Sequence, residues 1–315
     1  MLIFAVRRAI SLVASLVVAS LAIFVVLEVL PGDPARFMLG INATPESLVA
    51  LRAQLGLDAS LPARYIGWIA GMVQGDLGVS YTYRVPVADL VSDRLWVSLP
   101  LAAYALVLAT MIGIPVGLFA AANRNGPLDA GAMGLAQIGI AVPNFWLAML
   151  LVLAFAVTLR WLPSGGFPGW DDPGAAMLAL TLPAIALAMP QAAILARVTR
   201  SGLIDALDED YIRTARAKGL TRGQALRRHA LRNALIPVVT NMGLQFSFLL
   251  AGAIIIENVF YLPGLGRLAF QAISQRDLIV VRSVVMMLVC AVIVITFIVD
   301  LLYALIDPRL RQGRA

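Results

Sequence analysis

The chain has 315 residues, 61% hydrophobic and only 13% charged, with a mean hydropathy of +0.89. Soluble globular domains carry about a quarter of their residues as charges, so this composition excludes one and requires an integral membrane protein. The formal charge of +6 lies in loops and near the ends, which excludes a nucleic-acid partner, and the single cysteine, Cys290, excludes an intrachain disulfide or a cysteine-rich metal site.

Arg7 and Arg8 precede an apolar run from Ala9 to Leu30. The run exceeds the roughly 7–15 residues of a signal-peptide core, and no small-x-small cleavage pattern follows it. The sequence therefore predicts an uncleaved first span with its N-terminus in the cytoplasm. Glu28, near the far end, fits either an aqueous cavity or the lipid interface. Residues 31–96 form the one large hydrophilic excursion. LPGDPA opens it with a turn. Thr44 before Pro45 is an N-cap followed by proline at the first helical position, with Leu48, Leu51 and Leu55 on one face. A second short helix is expected near Pro62, carrying Tyr65, Trp68, Ile69 and Met72. GDLGVS and RVPVADLV then return the chain to the membrane. Two readings stand for this segment, a packing cap and a docking surface for another protein.

Further spans are predicted over 97–121, 132–158, 175–197, 234–256 and 282–306. Several carry proline or glycine, among them Gly113, Pro115, Pro143, Pro183, Pro190, Gly243 and Gly252. Proline frees backbone carbonyls that neighbouring helices or cavity water must satisfy, which fits an internal cavity or simply bent helices. The division expected is 1–30 as N-terminus and first span, 31–96 as extracytoplasmic segment, and 97–315 as a five-helix core.

Within that core, residues 203–233 make the one long, densely charged run. Leu203, Leu207, Tyr211 and Ala215, with Ile204 and Ile212 beside them, give a helix one apolar stripe. Gly219 stands where a helix ends in a left-handed residue. Thr221 followed three residues later by Gln224 is a capping box that starts a second helix at once. That helix presents Arg222, Arg227, Arg228 and Arg232 and runs towards Pro237. A helix, a glycine elbow and a helix between two hydrophobic segments are shaped to press into another protein.

After the fifth span comes IIENVFYLPGLGRLAF, too polar and broken to be all membrane, with PGLG turning sharply. Glu257 at the edge of an apolar run needs a partner or water. An ion pair with Arg267 or Arg282 and a role in a pathway both answer that need. Asn258, Pro263, Gly264 and Arg267 join Glu257 as pathway or gate candidates. Asp300, inside the last span, needs the same explanation. Six spans from a cytoplasmic N-terminus place 198–233 inside. There, residues 197–232 carry nine Lys/Arg against four Asp/Glu, while the outer loop 159–174 has one Arg and two Asp. The positive-inside rule and span parity thus give one topology, with both termini cytoplasmic.

No GxxxxGK[ST] run is present to cradle a nucleotide's phosphates, and no HExxH occurs. His229, the only histidine, reads as a surface or docking residue. With Asp300 the only aspartate clearly within a span, an intramembrane hydrolase lacks its pair. No catalytic residue, metal site or cofactor is expected on this chain.

YIRTARAKGL followed by RRHALRNALIP resembles the cytoplasmic "EAA" loop of ABC-importer permease subunits, most closely that of the dipeptide, oligopeptide and nickel permeases. Gly219 and Ala215 fall on the family's glycine and second alanine. Arg213 and Thr214 replace its glutamate and first alanine, as in the peptide/nickel variant. LGLDASLPARYIGWIAGMVQGDLGVS is similar to that family's external segment, ENVFYLPGLGRL to its re-entrant segment near the outer gate, and VDLLYALIDPRLR to its terminal signature. The resemblance implies an all-α, six-helix type I ABC importer permease fold, the first or B-type membrane subunit, in the bacterial cytoplasmic membrane. It implies ATPase coupling through Asp210, Tyr211, Arg213, Thr214, Ala215, Arg216, Ala217, Lys218, Gly219 and Leu220. It also implies a second homologous permease, two ATP-binding subunits carrying ATP and Mg, and an extracytoplasmic substrate-binding protein, working by alternating access. Di- or oligopeptides are the cargo implied, with nickel or a metal chelate as the alternative. The rival from another class is a stand-alone secondary transporter, which would show internal repeats and has no need of such an elbow.

Overall fold

A backbone in lipid must satisfy its own N–H and C=O groups, so long apolar runs become helices. The computed structural model describes residues 2–29, 34–40, 43–54, 56–225 and 231–306, and there the regular structure is helical apart from one isolated bridge between Val79 and Pro86. In chain order the helices are α1 (Leu2–Val29), α2 (Pro34–Leu39), α3 (Pro45–Gln54), α4 (Leu61–Val73), α5 (Val87–Ala122), α6 (Pro127–Ala141) and α7 (Asn144–Leu151), which continues as a π-helix over Val152–Thr158. Then come α8 (Pro173–Leu207), α9 (Asp210–Ala217), α10 (Arg222–Ala225), α11 (Leu231–Val259), α12 (Leu265–Ser274) and α13 (Leu278–Ile306).

Five helices are long and apolar enough to cross a membrane, namely α1, α5, α8, α11 and α13. The run predicted as one span over 132–158 is not straight. Its halves, Pro127–Ala141 and Asn144–Thr158, meet at 99°, and they make the sixth span when counted together. The cause is local. Val142 precedes a proline and is extended (φ −76°, ψ 123°), as such residues prefer, and Pro143 has no N–H to continue the ladder.

The scaffold is the pair α5 and α8, of 36 and 35 residues. A Cβ on Gly113 would stand 2.7 Å from the Ala192 carbonyl, and one on Gly117 2.5 Å from that of Ala196. Small residues four apart let two backbones touch, which is how helices associate where lipid removes the hydrophobic drive. Leu101, Ala105, Leu180, Leu187, Leu249 and Ala253 complete a core shared with α11. Both scaffold helices outrun their predicted spans. α5 starts at Val87 and buries Val87 and Val91 against α12 and α13, and α8 continues past residue 197 to Leu207.

α1 lies along α13, and Arg8 meets Asp300 at 3.1 Å. At the other end of α1, Glu28 meets Arg64 of α4 at 2.6 Å. Both isolated acids of the sequence thus have cationic partners. Phe24, Tyr65 and Trp68 form an aromatic cluster that fixes α4 on α1, with the Tyr65 hydroxyl 2.8 Å from Ser20 Oγ. The expected cap at Thr44 forms, its Oγ1 accepting from the Ser47 N–H at 3.2 Å.

Candidate functional site

The apolar stripe from Leu203 to Ala215 predicts one continuous helix, but the structure divides it. α8 stops at Leu207, Asp208 and Glu209 make a turn, and α9 restarts at Asp210. The stripe survives the break only in part. Leu203 and Ile212 are buried, with Ile212 1% exposed, in a cluster with Ala121, Ala206 and Ala234, whereas Tyr211 is 39% exposed. Ile212 therefore pins α9 onto α5, α8 and α11 together. Arg213, Thr214, Ala217 and Lys218 face solvent, and Ala215 and Leu220 are half-buried. The Arg216 side chain and residues 226–230, which include His229, lie outside the described residues.

α9 ends as its sequence predicts. Gly219 takes φ +97°, and the Leu220 N–H reaches back to the Ala215 carbonyl at 3.3 Å, closing the last turn. The Thr221 N–H donates to Gln224 Oε1 at 2.9 Å, and the Gln224 N–H to Thr221 Oγ1 at 3.3 Å, so the capping box forms and α10 follows. A short Arg213–Asp210 contact at 3.2 Å crosses the exposed face. The elbow is a charged peg with one apolar root.

Two polar ties brace the ends of α5, α6 and α8 beside it. Arg200 grips Asp129 with both ends of its guanidinium, Nε to Oδ1 at 2.5 Å and Nη2 to Oδ2 at 2.6 Å. Asp129, 3% exposed, also accepts from the Asn125 N–H. Arg124 pairs with Asp208 at 3.0 Å, at the turn that divides α8 from α9. Neither tie figures in the motif. The signal for Asp129 was there, an acid in the first turn of a helix begun by Pro127.

At the far end of α11 the structure corrects the expected ion pair. Glu257 is fully buried, and neither Arg267 nor Arg282 gives it a guanidinium. Instead its carboxylate caps α12 from outside. Oε1 accepts from Ser98 Oγ at 2.5 Å and Oε2 from the Arg267 N–H at 3.0 Å, with the Gly266 N–H also directed at it. The Leu265 N–H goes to Ser98 Oγ at 2.8 Å. The first N–H groups of a helix are orphans carrying partial positive charge, so they can hold the buried carboxyl group by hydrogen bonds where no guanidinium bonds it. Gly264 is needed for this geometry, because a Cβ there would overlap the Glu257 carboxylate. Arg267 turns away, donating to the Tyr261 carbonyl at 2.7 Å with its guanidinium 5.2 Å from that ring's centroid. Asn258 donates to the Ile254 carbonyl, and Pro263 is half-buried.

Sequence reasoning missed Ser98 and a second buried cap, Asp277. The latter accepts from Ser80 Oγ at 2.6 Å, the Thr82 N–H at 3.0 Å and, within α13, the Val280 N–H at 3.2 Å. An aspartate just before an apolar helix is the signal that could have found it. Among the described residues no group of three or more His, Cys, Asp or Glu is placed to hold a metal ion. The site's chemistry is mechanical: an exposed peg at one end of α8 and α11, and a sealed corner at the other end of α11.

Residues 113–312 match the model of a family described as binding-protein-dependent transport system inner membrane component, and residues 1–102 match that of its N-terminal region. The chain is 42% identical over 311 residues to the glutathione transport system permease protein of Escherichia coli O6:H1, covering 99% of each. It is 41% identical over 306 residues to a Brucella abortus protein named as a peptide transport system permease, covering 97% of this chain and 98% of that one. In fold it is similar to a chain of the MetNI methionine ABC transporter in an inward-facing conformation. The TM-score is 0.59 at 21% identity, over 69% of this chain and 96% of that one.

Proposed function

The chain belongs to the family of binding-protein-dependent transport system inner membrane components, and from that premise we propose that it forms half of a pathway importing short peptides. It is a permease subunit of an ABC importer, a multi-pass inner-membrane protein, and the ATPase is a separate subunit. A stand-alone secondary transporter is thereby set aside. The importer it belongs to works with an ATPase and a substrate-binding protein.

The finer assignment is as follows. A second permease of similar fold supplies the other half of the pathway, and two ATP-binding subunits, holding ATP and Mg, sit beneath. The elbow and both termini face the cytoplasm, in keeping with nine Lys/Arg against four Asp/Glu over 197–232. Residues Asp210 to Leu220 are the coupling surface. The observation that carries this is the division of α9, with Ile212 rooted in the bundle and Tyr211, Arg213, Thr214 and Lys218 turned outward. A partner that grips this peg moves α8 and α11 at once, because Ile212 packs with Leu203 of the one and Ala234 of the other. At its far end α11 carries the Glu257 corner and α12 with it. Asn258, Pro263, Gly264 and Arg267 then form the frame of the outer gate, and Glu257 is its internal strut. Glutathione is itself a short peptide, so the names of both relatives favour peptide cargo.

A pull-down of the tagged subunit from native membranes tests the coupling surface. ATPase subunits and a second permease should co-purify with wild type, and Ala215→Asp should lose the ATPases at normal subunit levels. A wild-type chain that purifies alone and still moves substrate would sink the assignment. Uptake of labelled dipeptides and glutathione tests the cargo. Transport of neither, by a complex that imports another solute, would refute the peptide assignment while leaving the coupling intact.

A further inference from the structure

At the end of the bundle opposite the elbow, a cavity of about 380 Å³ opens between α1, α4, the stretch before α5 and the start of α13. That volume exceeds the room of a single water by an order of magnitude. Phe24 and Trp68 give it an aromatic wall, and Glu28, Arg64, Asp76, Tyr81 and Arg282 bring polar groups to it. The Glu28 carboxylate is engaged by Arg64 at 2.6 Å. Arg282 has no such partner. Its guanidinium lies 5.0 Å from the centroid of the Trp68 ring, its Nε finds no hydrogen-bond acceptor, and no ion pair among the described residues includes it.

Trp68 is 7% exposed, and its Nε1–H also lacks an acceptor. Leaving a buried donor unsatisfied costs about 1–3 kcal/mol, more for a charged group. The Tyr81 hydroxyl adds a third donor. Burial pushes its pKa above the usual phenol value, while Arg282 and Arg64 oppose that rise, so the ring stands within reach of the cations and keeps its proton. The two carboxylates of the cavity are already engaged, Glu28 by Arg64 and Asp76 by the Gly78 N–H, so the donors left without an acceptor are those of Trp68 and of Arg282, a cation that is stacked in place.

We propose that this cavity binds a small oxyanion, a phosphate or a carboxylate, through the Arg282 guanidinium and the Tyr81 hydroxyl, with Trp68 as the platform that holds the arginine. A planar guanidinium fork matches two oxygens of either group. Two sources share this chemistry. The spans Val6–Glu28 and Leu278–Leu301 reach the membrane surface near the cavity, where a lipid phosphate is available, and a free anion can enter from solvent. The site is separate from the elbow and from the Glu257 corner, so its failure would leave the transport assignment untouched.

The test uses the full chain with its co-purifying subunits. In one arm, nanodiscs of phosphatidylcholine with added phosphatidylglycerol are dissolved and retained lipid is counted by native mass spectrometry. In the other, inorganic phosphate and acetate are titrated in lipid-poor detergent, and tryptophan fluorescence is followed. Wild type should retain phosphatidylglycerol or show a saturable fluorescence change. Arg282→Gln should weaken that binding about tenfold or more, Tyr81→Phe less so, and Arg282→Lys should fall between wild type and Arg282→Gln. Retention of lipid alone identifies a headgroup, and saturation by the soluble anions alone identifies a free ion. Equal responses of wild type and Arg282→Gln to every probe, or no response in either arm, overturn the proposal. Should Arg282→Gln fail to accumulate, Arg282→Lys and Tyr81→Phe decide it by the same criterion.

Discussion

At one end of α11 the Glu257 carboxylate is fully buried and takes hydrogen bonds from Ser98 and from the α12 backbone. Near the other end, α9 is held by Ile212, its one buried side chain among the described residues, and turns Tyr211, Arg213, Thr214 and Lys218 to solvent. The first region satisfies its polar groups within the chain, so its interactions stabilise the fold. The second keeps a charged, amphipathic surface exposed, and under the coupling assignment an ATPase subunit covers it. Substitutions should separate the two, the corner failing in folding and the elbow failing in coupling.

The largest effect is expected from Gly266→Ala. Its new Cβ would overlap the Ile254 backbone, and backbone cannot swing aside as a side chain can. Overpacking of this kind costs about 1–3 kcal/mol, occasionally more. The variant should melt well below wild type and accumulate poorly, as read by thermal unfolding and membrane levels. Glu257→Ala comes next. It strands the N–H groups of α12 and should cost about 1–3 kcal/mol, with Glu257→Gln closer to wild type because one acceptor oxygen remains. Uptake per folded subunit should change little in the Gln variant, and a selective loss of uptake at normal melting would make Glu257 part of the pathway instead.

Elbow variants should show the reverse. Gly219→Ala forces a side chain into φ +97°, at a cost of about 1–2 kcal/mol borne locally by α9. Its melting curve should barely move while ATP-dependent uptake falls severalfold. Arg213→Ala is the mildest. The side chain is 75% exposed and its ion pair with Asp210 spans a single helical turn, so stability should shift by less than about 0.5 kcal/mol. A loss of uptake there at unchanged stability is the outcome expected if Arg213 contacts the ATPase. A corner-like melting defect in either elbow variant would erase the distinction between the regions.

The features legible in the sequence were those whose determinants are close together along it. Gly219, the Thr221–Gln224 box and the Thr44 cap each rest on residues within a turn of one another, and all form. Apolar periodicity was misleading where it ran on through a break. The stripe from Leu203 to Ala215 hides the turn at Asp208 and Glu209, and the apolar length of 132–158 hides a 99° bend that Pro143 alone marks. Partners were illegible where the chain closes over long distances. Ser98 lies 159 residues from Glu257, and the other groups that hold that carboxylate are backbone N–H groups, which leave no mark in a sequence. The charged residues suggested an ion pair because side chains are all that a sequence displays. Arg200 and Asp129, both side chains but 71 residues apart, escaped notice through that separation alone.

The contact between Arg8 and Asp300 joins the first long helix to the last. During synthesis α1 leaves the translocon long before α13 is made, and it waits in lipid with its arginine drawn towards the headgroups. An aspartate at mid-helix costs about 2.5–3.5 kcal/mol to insert, less near a membrane surface, so α13 enters most readily where that arginine already stands. The pair is thus a closing clasp in biogenesis. A chain that stops before its last helix leaves Arg8 without Asp300 and α1 without the helix it packs along.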